Sequence, residues 1–449
     1  MPVPFSTAPR RAPSLPMPAH PPSAPAASAP SESASAAPPA SVYRHTAFLA
    51  FLVARVVAVV ATQVQAVVVA WQVYDLTRNP LSLAYVGLAQ FLPMLCLLLP
   101  AGDLIDRFDR RRILGMAWSV GAVCSALLWW LTGHGSSGVA GIYAVLVLYG
   151  CARAFSGPAM QSLLPQIVPR AQLAQAIAAN SMLMRVASIG GPLLGGLLYA
   201  LGGGELTYAV CCTCFVLGAL LLLRVVVAHA GTRAPAQGTM FERFGAGIAF
   251  IRSRPIILGT ISLDLFAVLL GGVVALLPIY AQEVLHVGPA GLGALRSAMA
   301  VGEVGAGLYL SMRPFNRQVG RTMFVAVALF GMANLVFALS TAFWLSFAAL
   351  MVAGAADMVS VYIRGALVQF STPDDMRGRV NAVNMLFIGS SNELGEFRAG
   401  TSAAWLGAVP AAVAGGLCTL AVVGGWMAAF RPLLQVDRFE EAAPPSGRN

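Results

Sequence analysis

From Thr46 onward the chain is a succession of apolar runs about twenty residues long, separated by short connectors that hold most of the charge. A helix of ~20 residues spans the ~30 Å hydrocarbon core of a bilayer, and lipid admits only helices or closed barrels, so such a series leaves few folds open. Apolar residues make up 58% of the 449 and charged residues 10%, where soluble domains carry roughly half and a quarter. The reading is an all-α integral membrane protein. Twelve spans are predicted, at 46–73, 81–101, 113–131, 139–160, 173–201, 206–228, 256–281, 291–312, 322–339, 342–363, 380–399 and 403–430.

The longest connector, 229–255, divides the spans six and six. Residues 1–43, rich in Pro, Ala and Ser, read as a disordered cytoplasmic tail. Their prolines interrupt any apolar core that a signal peptide would need. Residues 44–228 form a predicted first six-helix bundle, 229–255 a cytoplasmic linker, 256–430 a second bundle and 431–449 a cytoplasmic tail. In the linker, Phe241, Phe244, Ile248 and Ile251 recur at helical spacing among Glu242, Arg243, Arg252 and Arg254. That pattern predicts an amphipathic helix on the inner membrane surface.

Every basic residue is Arg, and the formal charge is +10. The arginines fall in connectors rather than on one continuous face, which argues against a nucleic-acid partner. Arg107, Arg110, Arg111 and Arg112 share a side with Arg170, Arg233, Arg243, Arg252, Arg254, Arg313, Arg317, Arg321, Arg377 and Arg379, while Arg78 and Arg296 are expected in loops opposite. The positive-inside rule then places both termini in the cytoplasm and the chain in the cell's inner membrane. The two halves also echo one another at an offset of 204, where Gly150 matches Gly354, Pro169 matches Pro373 and Asn180 matches Asn384. Two such bundles, related by an axis along the membrane normal, place a binding site between them near the midplane.

Residues 102–112 hold seven charges within ten residues, a knot that must sit at a membrane face. Gly102-x-Leu104-x-Asp106-Arg107-x-x-Arg110-Arg111 is similar to the signature between the second and third helices of the major facilitator superfamily, with Asp109 where Gly is common. Arg153-x-x-x-Gly157 resembles its fourth-helix signature. Gly191-Pro192-Leu193-Leu194-Gly195-Gly196 resembles the fifth-helix signature of its proton-coupled antiporters, with Ala187 where the first small residue would be Gly. The stretches 71–77, 153–158, 377–380 and 391–397 are similar to the drug-efflux branch that includes siderophore exporters. The resemblance covers nearly all of 46–430 and implies twelve transmembrane helices in two six-helix bundles. It implies export of a small organic molecule by proton antiport. It also implies a latch in which Asp106 faces the start of the eleventh span near Arg377 to Val380, with Gly102, Leu104, Arg107, Arg110 and Arg111 around it, and a hinge or leak seal at Gly191, Pro192, Gly195 and Gly196.

Ionisable groups inside spans are costly and mark candidate pathway residues. Arg55 lies well inside the first span, followed on one face by Thr62 and Gln63. Arg153 and Arg185 are further buried cations. Asp264 and Glu303 are enclosed by apolar sequence on both sides, and one of them is the expected coupling carboxylate, the alternative being a permanently paired structural acid. Gly302 and Gly305 flank Glu303 and allow another helix to approach. Asp357 and Arg364 share a face seven residues apart. Glu393 and Glu396, with Arg398 close behind, read either as half of a proton-handling site or as an ion-pair network near the outer end.

Enzyme chemistry has no support: no H-E-x-x-H, G-x-S-x-G or phosphate-cradling loop occurs. Cys211, Cys212 and Cys214 lack His or carboxylate neighbours and read as packing residues, not a metal site. His20 and His45 fall in the tail region and His134, His229 and His286 in loops. No cofactor is expected. The partners expected are a small organic solute, protons and the lipid bilayer, with the chain acting as a monomer. Rival readings are a lipid or lysolipid translocator of the same fold and a membrane sensor that has lost transport.

Overall fold

The computed structural model describes residues 45–135, 138–169, 172–225 and 240–442. The expected tail at 1–43 and the first part of the 229–255 linker lie outside them, as do the side chains of Asp103 and Asp106. Among the described residues there is no strand.

The helices follow the apolar runs and overshoot them. They are α1 (Thr46–Thr77), α2 (Pro80–Arg107), α3 (Arg110–His134), α4 (Val139–Ile167) and α5 (Leu173–Leu223). After α6 (Met240–Ser253) comes α7 (Pro255–Gly271), whose backbone breaks and resumes through a 3-10 turn, the single turn α8 (Leu277–Ile279) and a π turn at Tyr280–Val284. Then follow α9 (Gly288–Met312), α10 (Val319–Leu339), α11 (Phe343–Ser371), α12 (Asp374–Leu406), α13 (Ala408–Ala429) and the short α14 (Arg431–Leu434). His134 closes the last turn of α3 rather than lying in a loop.

Nine helices among the described residues are long and apolar enough to cross a membrane. The 51-residue α5 covers two predicted spans: its backbone leaves helical geometry at Gly202 and at Gly203, whose φ of 61° favours glycine. At 25 and 33 residues α9 and α12 match span length, but they are outside the nine. Both carry several charges into the interior, Arg296 and Glu303 on one, Glu393, Glu396 and Arg398 on the other.

The break after α7 exposes carbonyls that lipid could not satisfy. Neighbouring helices supply the donors. Thr419 Oγ1 donates to the Ala267 carbonyl at 3.3 Å and Asn334 Nδ2 to Gly271 at 3.2 Å. Arg398 donates from Nε to Leu269 and from Nη2 to Gly272, both at 3.1 Å. A guanidinium at a helix C-terminus also meets the negative end of the helix dipole.

One apolar core is built entirely from α1 to α5 around Phe48, Phe51, Leu146, Tyr208 and Phe215. A second gathers Leu263, Phe324, Ile363, Leu367 and Val423 with Leu433 and Phe439. A third joins the two groups of helices: Val67, Trp71, Tyr74 and Leu83 pack with Leu276, Tyr280, Leu292 and Leu295. This shared core lies at the end of the bundle where α1 finishes, called here the Thr77 end.

The repeat of 204 residues has a packing counterpart. A Cβ added to Gly150 of α4 would strike the Gln90 carbonyl oxygen of α2, and one added to Gly354 of α11 would strike that of Met299 on α9. Asn180 and Asn384 are both buried, each with an Oδ1 that accepts no hydrogen bond among the described residues.

Two segments outside the spans pack onto the protein. On the apolar face of α6, Phe244, Ile248 and Ile251 pack with Ile257, Val368, Val380 and Val383. The amphipathic spacing thus gives α6 an apolar face that packs with α7, α11 and the start of α12. From Arg431 the chain folds back as far as Ala442, and Val319 and Gly320 donate to the carbonyls of Asp437 and Val436 at 3.2 and 3.0 Å.

Candidate functional site

A cavity of about 410 Å³ lies between the two groups of helices, walled by α1, α2, α4, α5, α9, α12 and the broken stretch after α7. Its charged lining is Arg153, Arg296, Glu303, Glu393 and Glu396. Arg153 of α4 reaches across to Glu393 of α12 at 3.4 Å and donates to Gln90 Oε1 of α2 at 3.3 Å. The Glu393 side chain is 17% exposed, so this pair is largely shielded from water yet opens onto the cavity. Arg296 lies within electrostatic reach of both Glu393 and Glu396, and its buried Nε has no hydrogen-bond partner among the described residues. The expectation of Arg296 in a loop is therefore corrected. It stands in the third turn of α9 and lines the cavity together with Glu393 and Glu396 of α12.

The cavity is closed at the Thr77 end. Beyond the shared apolar core, Tyr74 donates a short hydrogen bond to Glu283 Oε1, and Gln282 Nε2 donates to Asp75 Oδ1 at 3.2 Å. Arg78 holds the same Asp75 at 2.8 Å. The glycine motif on α5 completes the closure. Gly191 and Gly195 abut Gln63 and Val64 of α1, while Gly196 meets the Pro289 carbonyl and Gly293 meets that of Pro192, so α5 and α9 touch backbone to backbone. Ser297 Oγ of α9 also donates to the Ile189 carbonyl of α5 at 2.7 Å.

The remaining charges fall into separate groups. Asp264 and Arg364 form an ion pair between α7 and α11, with both side chains under a tenth exposed. Asp357 lies within electrostatic reach of Glu303, which Arg185 of α5 also faces. Gly302 makes the close approach expected beside Glu303, against Met351 and Ala355 of α11, while Gly305 meets nothing. Arg55 is half-buried on α1, and its Nε has no partner among the described residues. Thr62 accepts from the Tyr149 hydroxyl at 3.2 Å. Arg398 takes no part in the acidic pair beside it, because its guanidinium is committed to the carbonyls of α7.

The stretch 102–112 is spread over the end of α2 and the start of α3. Asp109 is the N-cap of α3 and accepts from Arg111 N at 2.9 Å. Arg111 donates to the carbonyls of Val225 and Leu223 at 2.7 and 2.9 Å, and Arg110 to that of Ser162 at 3.3 Å. Gly102, Leu104 and Arg107 lie in the last turns of α2. The side chain of Asp106, on which the expected latch turns, lies outside the described residues.

A family model described as "Transmembrane secretion effector" matches residues 36–445. The chain belongs to that family, a branch of the major facilitator superfamily. The Escherichia coli enterobactin exporter EntS is 25% identical over 420 residues, covering 89% of this chain and 95% of the exporter. Two solved structures share the fold. A bacterial homologue of the human lysosomal transporter Spinster, inward-facing and unoccupied, gives a TM-score of 0.67 at 15% identity over 90% of this chain and 99% of its own. A bacterial homologue of the iron transporter ferroportin, inward-facing, gives 0.66 at 17% over 86% and 99%. The protein is a multi-pass membrane transporter, not an enzyme.

Sequence reading missed Gln90, the clasp of Tyr74 and Asp75 on Glu283 and Gln282, and the place of Arg296. A signal for Arg296 existed: it precedes Glu303 by seven residues, which puts both on one helical face.

Proposed function

We propose that this transporter exports a small organic molecule across the inner membrane, drug-like or of the siderophore kind, by antiport against protons with alternating access. The observation that carries the reading is the charged cavity between the two helix groups, with Arg153 on one side bound to Glu393 on the other. Its closure at the Thr77 end fits an inward-facing state in which that end, and the loop holding Arg78, face outward and both termini face the cytoplasm. The mixed lining suits an amphiphilic solute: Arg153 and Arg296 offer donors, three carboxylates offer acceptors, and Ala66, Leu83, Val86 and Met299 offer apolar contact. Solute entry disturbs the Arg153–Glu393 pair. Solute groups held by the ionised cavity carboxylates and protons compete for those carboxylates, so solute entry displaces protons and solute release lets them return, the mutual exclusion an antiporter needs.

The relative's name supports export of a catecholate siderophore as the first solute to test. Purified protein in proteoliposomes, given an imposed pH gradient and a panel of catecholates, cationic drugs and lysolipids, is expected to move one of the first two classes with a matching proton flux. Solute movement without proton flux refutes antiport, and movement of lysolipid alone refutes the solute class.

A further inference from the structure

Behind the cavity wall the second helix group encloses a void of about 10 Å³, lined by Asp264, Asp357 and Ser360 among apolar residues of α7, α10 and α11. A space of that size holds about one water when polar partners converge on it. Ser360 supplies an independent sign of an occupant. The residue is 2% exposed, and its buried hydroxyl makes no hydrogen bond among the described residues. The buried hydroxyls of Thr260 and Ser297 return to the carbonyl four residues back; Ser346 and Ser371 of α11 are unpaired like Ser360, and Ser360 is the one of the three that lines this void. Leaving a hydroxyl unpaired in an apolar wall costs about 1–3 kcal/mol, so its free position calls for a partner in the void.

The charges around the void sort cleanly. Asp264 is neutralised by Arg364, which leaves no net charge on that side. Asp357 has no ion pair or hydrogen bond among the described residues. Glu303 of α9, which lines the cavity, lies within electrostatic reach of it, and Arg185 of α5 is within reach of Glu303. The Gly302 and Gly354 contacts press α9 against α11 and hold the two acids together. From α10 only Val327 and Phe330 face the void.

We infer that Asp357 is a proton-storing group: one water held by Ser360, Asp357 and Asp264 completes the site, and Glu303 connects it to the cavity. Loading breaks the O–H bond of a protonated Glu303 and forms one on Asp357; unloading reverses both, so charge is conserved within the pair of acids. Asp264 stays ionised beside Arg364 and accepts from the water. A metal cation fits less well, since Arg364 already supplies the positive charge. The use of this proton rests on the antiport reading, but its binding site does not.

Infrared difference spectra of the purified full chain between neutral and acidic pH read the protonated carboxyl directly, without any solute. Wild type is expected to show a titrating carboxyl C=O band that is lost in Asp357→Asn and shifted in frequency in Ser360→Ala, with Asp264→Asn adding no new acid at that band. A band unchanged in Asp357→Asn, or one lost in Glu303→Gln while Asp357→Asn retains it, overturns the assignment. If Asp357→Asn does not fold, an unshifted band in Ser360→Ala overturns the water site by itself. Loss of the band in Asp357→Asn from a wild type that moves no protons with any solute would refute antiport and leave this site standing.

Discussion

The fourth helices of the two halves, α4 and α11, have the same scaffold and opposite chemistry. Gly150 and Gly354 each let the helix press onto a carbonyl of its half's second helix. Three residues later α4 carries Arg153 and α11 carries Asp357, and three further on each carries a serine, Ser156 and Ser360. Ser156 bonds back to the Arg153 carbonyl at 3.3 Å, whereas Ser360 is unpaired. Arg153 faces the cavity and reaches the other half; Asp357 faces inward to its own half. A duplicated packing solution thus keeps its backbone contact while its charged position diverges, one facing the cavity and the other a void within its own half.

The glycine contacts are the part of the comparison most easily broken. Gly150→Leu and Gly354→Leu each force a side chain into a carbonyl and are expected to cost ~3 kcal/mol or more, beyond the usual overpacking range. Falling membrane yield and melting temperature in both variants would confirm equal packing; tolerance of one alone would separate the helices.

A second contrast lies between the helices that cross the cavity. Position 194 of α5 is Leu, 45% exposed, where position 398 of α12 is Arg. The first half has an unbroken α1 at the position where the second has the broken α7. Arg398→Leu removes two hydrogen bonds from a charged donor, and a loss of ~2–3 kcal/mol is expected in thermal unfolding. An unchanged melting temperature would mean that water serves those carbonyls as well.

Arg153→Gln sharpens the functional half of the comparison. It is expected to weaken solute binding roughly tenfold, or ~1.4 kcal/mol, while the protons moved per solute stay the same. Asp357→Asn is expected to do the reverse. Binding isotherms and dye-reported proton flux in the same vesicles separate the two. The smallest effects belong to the caps. Asp109 caps α3 from within its own loop, while Gln318 N at the start of α10 donates to Asp437 from the folded C-terminal segment at 2.9 Å. Asp109→Ala and Asp437→Ala are each expected to cost ~1 kcal/mol or less, seen as a small drop in melting temperature with transport intact.

The spans and the membrane class were legible because length and hydropathy report directly on what lipid tolerates. The glycine motif was legible because only small residues permit contacts such as Gly196 on Pro289. Pairings were not. Nothing in the sequence around Asp264 tells that Arg364, a hundred residues later, neutralises it, and Arg153 meets Glu393 across a far longer separation. Arg296 was assigned to a loop because charge near the start of a span looks external, whereas its partners on α12 become neighbours only after folding. Arg398 looked like a member of the acidic cluster because the α7 break, which claims it, leaves no hydropathy dip. Glu303 stood out by its apolar surroundings, and it does line the cavity.

The central claim is that the two halves open and close around the charged cavity, and the clasp at the Thr77 end tests it most directly. Asp75 and Gln282 bond across the closed end, so Asp75→Cys with Gln282→Cys, in a chain whose native cysteines are replaced, places two thiols where a disulfide can lock it. The account predicts that oxidation stops solute efflux, that binding from the open side persists, and that reduction restores efflux. Efflux continuing at the reduced rate with the cross-link fully formed would contradict it.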